Sequence, residues 1–181
     1  MDARICIASI LLTTAACGGC RGPGGDEATA APSGDASILT RMRDMNHGEI
    51  DAGMSALTKG SNPRVKSFAH DMIRDHRTMD VKDSTLATSD GLAPQAFPVP
   101  PARLESQQLN RVDTGAIFDV LYIDAQVIDQ RTVLAELRQF QRTAQNAQLR
   151  SAISGAIPIV QAHLNRAKAL QTVLDRPSTQ S

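Results

Sequence analysis

The residues of this sequence best suited to chemistry are four polar side chains that interrupt apolar seams: Glu49, His76, Gln130 and His163. Each lies near the midpoint of a predicted helix, on the face that otherwise carries apolar residues. Buried alone and unpaired, each would cost roughly 1–3 kcal/mol, whereas a carboxylate, two imidazoles and an amide can hydrogen-bond one another. Because the midpoints of helices of similar length share one level of a bundle, we expect the four to converge in one polar layer.

This polar layer has two interpretations. In the first, its hydrogen bonds only fix the register of the helices. In the second, Glu49, His76 and His163 bind a metal ion, because two histidines and a carboxylate match the ligand sets of zinc and non-haem iron sites. Asp80, one turn after His76, is a further carboxylate. Gln130 is a poor metal ligand, and neither histidine follows a glutamate by three residues.

Four helices must position these side chains. Apolar residues recur three and four positions apart, which is the spacing of helices packed in a bundle. Gly60 ends the first helix, and Asn62 followed by Pro63 starts the second, because asparagine caps a helix and proline suits its first turn. The expected helices are 37–59, 63–90, 113 or 114–144, and 146–174, with a kink or a locally broken hydrogen bond at Pro158.

The predicted fold is all-α, an antiparallel four-helix bundle over residues 36–175. Hydrophobic residues make up 41% of the sequence and aromatic ones only 3%, so the core must consist of aliphatic side chains. The seams comprise Ile38, Met42, Met45, Glu49, Ala52, Ala56; Val65, Ala69, Met72, His76, Met79, Asp83, Leu86; Phe118, Tyr122, Gln126, Gln130, Val133, Leu137, Phe140; and Leu149, Ile153, Ala156, Val160, His163, Ala167, Leu170, Leu174.

The connection between helices 2 and 3, residues 92–112, is rich in proline. With about 20 residues it can span the length of a helix, so helices 2 and 3 can run parallel. This gives the up-down-down-up order of ferritin-like bundles. The up-down-up-down order stays open at this point.

The N-terminus predicts export. Residues 1–16 resemble a bacterial lipoprotein signal, in which a short apolar run, Ile5 to Leu12, and small residues precede Cys17. We expect Cys17 to carry the lipid and to anchor the protein on the periplasmic side of the outer membrane. Cys20 is the alternative position, and an ordinary secretory signal is the other interpretation.

The segments outside the bundle are polar or rich in small residues. Residues 17–35 contain much Gly, Ala, Pro and Ser and predict a flexible tether, and residues 176–181 predict a disordered tail. Once the signal is removed and Cys17 is acylated, only Cys20 remains, so we expect no intrachain disulfide.

Charge and motifs exclude several function classes. Lys and Arg together number 19, and so do Asp and Glu, which gives no electrostatic reason to expect a nucleic-acid partner. The sequence contains no phosphate loop, nucleophile elbow or dinucleotide glycine motif. We therefore expect a non-enzymatic envelope protein with a structural or stress-related role, and the alternative is a metal-binding or redox protein that uses iron or zinc.

At these residues the chain resembles a bacterial family of unknown function, a ferritin-like helical domain of envelope proteins often labelled outer-membrane proteins. Glu49 fits the glutamate of that family's first helix, and the pattern has histidine where this chain has Gln130. This departure disfavours a histidine-cluster metal site here. The resemblance implies the fold and an envelope location, but no reaction. The other matching stretches are 68–76, 118–122, Ile157-Pro158 and His163-Leu164.

Overall fold

A computed structural model describes residues 34–92, 109 and 111–175. This part of the chain contains four long helices and no strand, which confirms the all-α four-helix bundle. The helices are α1 (Asp35–Lys59), α2 (Pro63–Ser89), α3 (Ala116–Thr143) and α4 (Ala147–Leu174). The signal 1–16, the tether to residue 33, most of the connection 92–112 and the tail 176–181 lie outside the described residues.

Local sequence sets the starts of these helices. Asn62 caps α2 by accepting a hydrogen bond from the Arg64 N–H, and Asn146 caps α4 through two backbone N–H groups. Gly115 has φ +115°. This conformation lies outside the helical region, and glycine adopts it without strain. Because of it, α3 begins at Ala116, slightly later than expected. Helix α4 extends across Pro158 as one element, although proline has no N–H to donate to the carbonyl one turn earlier. A kink there stays a prediction.

Hydrogen bonds at both ends of α1 establish the helix order. The Gly115 N–H, just before α3, donates to the Lys59 carbonyl at the end of α1 (2.9 Å). At the opposite end, the Asp35 carboxylate accepts from the N–H groups of Gln145 and Asn146, just after α3 (2.8 Å each). Helix α1 is therefore antiparallel to α3 as well as to α2, so α2 and α3 run in the same direction. This is the up-down-down-up order.

The predicted seams form the core. Their apolar residues are buried except Leu174, which is half-buried. The largest completely enclosed side chains are aromatic, Phe68, Tyr122, Phe118 and Phe140, so the core is not aliphatic alone as expected. Helices α1 and α2 approach closely at Gly53, where an added Cβ would lie 2.7 Å from Ile73 Cγ1. None of the helices in the described ranges combines the length and the apolar character needed to cross a bilayer.

Candidate functional site

The first half of the polar layer joins α1 to α3. The Glu49 carboxylate is buried and accepts hydrogen bonds from two amides of α3, Gln126 Nε2 to Oε2 (2.8 Å) and Gln130 Nε2 to Oε1 (2.5 Å). The two glutamines are four residues apart, so they present their amides from one face of the helix. Glu49 and Gln130 thus lie together, as expected, with Gln126 as a third member.

The second half of the layer joins α2 to α4. The rings of His76 and His163 lie side by side, with centres 5.4 Å apart and planes tilted by 37°. Both residues are buried, His76 almost completely. His163 Nε2 lies 3.0 Å from the Asp75 carboxylate on α2, and His76 Nδ1 lies 2.9 Å from Asn46 Oδ1 on α1.

These partners fix the protonation of both rings. A carboxylate or amide oxygen can only accept, so the bonded nitrogens, His76 Nδ1 and His163 Nε2, carry the protons. Burial lowers the pKa of His76 to about 3 and also lowers that of His163, the latter against the opposing effect of Asp75. Both rings are therefore neutral at pH 7. Their other nitrogens, His76 Nε2 and His163 Nδ1, carry a lone pair each. Both are buried and have no hydrogen-bond partner among the described residues. We call them the acceptor nitrogens.

Asn46 and Asp83 extend the histidine side of the layer. Asn46 Nδ2 donates to Asp83 Oδ2 (3.0 Å), and both residues are buried. Burial raises the pKa of Asp83 to about 7, and the neighbouring Asp80 adds to this effect. Because Asn46 links His76 to Asp83, the three side chains form one hydrogen-bonded chain between α1 and α2.

The predicted metal ligands do not assemble into one cluster. No three His, Cys, Asp or Glu side chains in the described part of the chain are arranged to hold a metal ion. The histidines are adjacent, but the Glu49 carboxylate accepts hydrogen bonds from the amides of α3. Asp80 is half-buried, and its Oδ1 lies 3.1 Å from Arg43 Nε and 3.2 Å from His47 Nε2. Metal binding itself stays a prediction.

Other sequence candidates have simpler environments. His70 is exposed on α2. Tyr122 is completely buried, and its hydroxyl has no hydrogen-bond partner within the residues that the structure describes, contrary to expectation for a buried tyrosine. Burial and the nearby Glu49 raise the pKa of this hydroxyl well above its usual value.

A cavity of about 250 Å³ lies against the Asn46 chain. All four helices contribute to it, and it was not expected from the sequence. Its rim is formed by exposed residues of α2 and α4, Lys82, Ser151 and Gly155. Its inner wall combines the polar groups of Asn46, His76 and Asp83 with apolar side chains, among them Met45, Met79, Leu137 and Val160.

The chain matches, over residues 22–170, the family described as Domain of unknown function (DUF4142). The chain belongs to the DUF4142 family. This membership confirms the resemblance to a family of unknown function. Among curated proteins, none matches this DUF4142 chain significantly.

A solved structure shares the fold of this DUF4142 domain. It is the crystal structure of a Streptomyces coelicolor protein described as secreted, DUF305, with a TM-score of 0.68 and 11% sequence identity. The match covers 83% of this chain and 99% of the other. At this identity the likeness bears on the helical fold alone.

Proposed function

We propose that this chain is an exported, non-enzymatic binding domain of the cell envelope, tethered by a lipid on Cys17 to the periplasmic side of the outer membrane. The signal-like residues 1–16 support export, as does the description of the Streptomyces coelicolor protein as secreted. The up-down-down-up order supports a ferritin-like classification. A protein partner of this domain would lie in the envelope. The balanced charge gives no reason to expect a nucleic-acid partner.

The binding site is the cavity beside His76. One observation carries this proposal: an apolar cavity of about 250 Å³ ends on three buried polar side chains that hold one another in place. Ligand sites are concave and mostly apolar, with a few convergent polar groups and shifted pKa values. Asp83, with its pKa raised to about 7, and His76, with its pKa lowered to about 3, are such groups.

Binding of a small apolar probe tests this site. Gly155 lies at the rim, and an added Cβ there would meet nothing within 4 Å, so a side chain can start at this position without a clash. We expect the larger side chain of Gly155→Leu to narrow the opening. Titration calorimetry with toluene should show binding to wild type and loss of binding in Gly155→Leu. Ala162→Leu is the matched control, because Ala162 is exposed on the same helix and outside the cavity lining. Equal binding by all three proteins would contradict the site.

A second candidate function is transition-metal binding at His76 and His163. The acceptor nitrogens support it, since each is an unprotonated imidazole nitrogen whose opposite N–H is anchored by an oxygen. Metal-binding histidines are oriented in this way by their second N–H. Neutral imidazole suits zinc and iron. Glu49, predicted as the third ligand, would have to exchange its amide partners on α3 for the metal.

Metal analysis of the protein from its native host tests this candidate. Bound zinc or iron in wild type, and its loss in His163→Leu, are expected if the pair is a metal site. His70→Leu serves as the control, since His70 is exposed on α2. Added metal should raise the Tm of wild type and of the control, but not that of His163→Leu. Equal metal content in all three proteins would rule out this pair.

A further inference from the structure

The three polar side chains at the inner wall of the cavity form a chain with one direction. Asn46 Nδ2 donates to the Asp83 carboxyl, and Asn46 Oδ1 accepts from His76 Nδ1. An amide has a donor end and an acceptor end, so the bond to Asp83 orients Asn46, and Asn46 in turn orients the proton on His76. The chain ends on His76 Nε2, an acceptor nitrogen with almost no surface open to the cavity, so a ligand reaches it only by displacing side chains of the wall.

We infer that the cavity binds a small neutral molecule with an apolar body and one O–H or N–H donor, which donates to His76 Nε2. This inference rests on the proposed binding function and specifies its ligand class. A buried polar atom left unpaired is costly, and a ligand with a donor removes that cost, whereas a ligand without one leaves it in place.

The size and lining of the cavity set the ligand's apolar body. An enclosed apolar cavity of about 150 Å³ accommodates benzene. The present cavity, at about 250 Å³, has room for one ring with a small substituent. Its methionines, Met45 and Met79 among them, are flexible and adapt to the shape of a ligand.

Charge at the inner wall favours a neutral ligand. An anion would meet the His76 lone pair and the Asp83 carboxyl. A cation would lose part of its hydration among the apolar side chains of the wall, and Asp83 Oδ2 already accepts from Asn46. The cation at the rim, Lys82, is exposed, so water weakens the effect of its charge, which is still close enough to act on the pKa of Asp83.

Three probes of similar size test separately whether the ligand needs a hydrogen-bond donor, an acceptor or neither. Toluene has no hydrogen-bonding group, anisole has an acceptor only, and p-cresol, an isomer of anisole, has a hydroxyl donor. Dissociation constants are measured by calorimetry on the full chain after treatment with a chelator. We expect p-cresol to bind about tenfold or more tightly than either other probe. Equal affinity for p-cresol and anisole would overturn the donor requirement.

A variant and a spectroscopic measurement locate the contact. His76→Phe keeps a ring in the wall and removes the acceptor, so p-cresol should lose its advantage over toluene while toluene still binds. In wild type, p-cresol but not toluene should shift the ¹⁵N resonance of His76 Nε2, and this measurement stands even if the variant fails to fold. An unchanged resonance with bound p-cresol would overturn the assignment.

The outcomes distinguish this inference from the function on which it rests. Toluene binding without any preference for p-cresol leaves the cavity as a binding site and overturns the ligand class. Failure of all three probes to bind overturns both proposals. Binding that persists in Gly155→Leu places the probes elsewhere on the protein and overturns both as well.

Discussion

Ser61 donates both its backbone N–H (3.1 Å) and its hydroxyl (2.6 Å) to the carboxylate of Asp119. The N–H of Asn62 donates to the same carboxylate (2.8 Å). Asp119 is buried in the first turn of α3, so it pins the turn between α1 and α2 to the neighbouring helix. Asp35 does the same for the turn between α3 and α4 at the other end of the bundle. Each short turn is thus held by one carboxylate.

Asp119→Ala should destabilise the bundle by about 2–4 kcal/mol, because it leaves donors of the turn unpaired and a cavity beside the core. Urea denaturation measures the change in the free energy of unfolding. Asp113→Ala is the control, since Asp113 is exposed just before the same helix, and its effect should stay within about 0.5 kcal/mol. A loss below 1 kcal/mol for Asp119→Ala would show that the turn does not depend on this carboxylate.

Two mid-helix glycines should respond to alanine with opposite signs. At Gly53 the new Cβ would lie 2.7 Å from Ile73 Cγ1 and 3.3 Å from the Ala69 carbonyl oxygen, so Gly53→Ala should destabilise by roughly 1–3 kcal/mol. At Gly155 the Cβ meets nothing within 4 Å, so Gly155→Ala should stabilise by about 0.5–1 kcal/mol through helix propensity. Thermal or urea unfolding of both variants measures the two changes, and a stabilised Gly53→Ala would contradict the close α1–α2 approach.

Asp83 should make the stability of the protein depend on pH. Burial and the nearby Asp80 raise its pKa from 3.8 to about 7, while Asn46, Arg43 and Lys82 act in the opposite direction. Between about pH 4 and 7 the Asp83 carboxyl is therefore protonated in the folded protein but ionised in the unfolded chain. Its contribution to stability is present below about pH 4 and is lost as the pH rises through 7.

Comparison with Asp83→Asn isolates this effect. The variant keeps an oxygen that can accept from Asn46 but cannot ionise. Relative to that of wild type, the free energy of unfolding of the variant should increase between pH 5 and 8 by on the order of 1–3 kcal/mol, so the variant becomes the more stable of the two. His76, with its pKa lowered to about 3, gives a slope of opposite sign below pH 6.5, but this term is present in both proteins and cancels. Parallel pH profiles would contradict the raised pKa.

The sequence predicted the fold and the burial of the four polar side chains, but not the partners that each one contacts. Helical periodicity decides which residues face inward, and Glu49, His76, Gln130 and His163 are all buried. Rotation of each helix by a few tens of degrees decides which of them touch, and a single sequence does not fix it. The layer therefore divides into a glutamine side and a histidine side.

Two members of the site were present in the predicted seams but were not singled out. Gln126 and Asp83 stand at seam positions, and a search for every polar residue in a seam, rather than one per helix, would have found them. Asn46 lies beside its seam, three residues before Glu49, and gave a weaker signal. The cavity depends on how side chains of four helices fill space between them, and no pattern along one helix shows this.

The two amides that flank Glu49 allow its charge to be tested apart from its shape. In Glu49→Gln, the new amide oxygen can accept from one flanking glutamine, and its new NH₂ can donate to the other if that side chain turns its oxygen inward. Gln126 Oε1 and Gln130 Oε1 have no other hydrogen-bond partner in the described part of the chain, so either can do so. All three amides then remain paired.

Glu49→Gln should therefore change the free energy of unfolding by no more than about 1 kcal/mol. Glu49→Leu, of similar volume, removes the acceptor of both amides and should destabilise by roughly 2–4 kcal/mol, because each is left buried and unpaired. Urea denaturation at pH 7 gives both values, and metal content of the same samples gives a second readout. A loss above 3 kcal/mol in Glu49→Gln would show that the layer requires the negative charge. Loss of bound metal in that variant would then identify Glu49 as the third ligand beside His76 and His163.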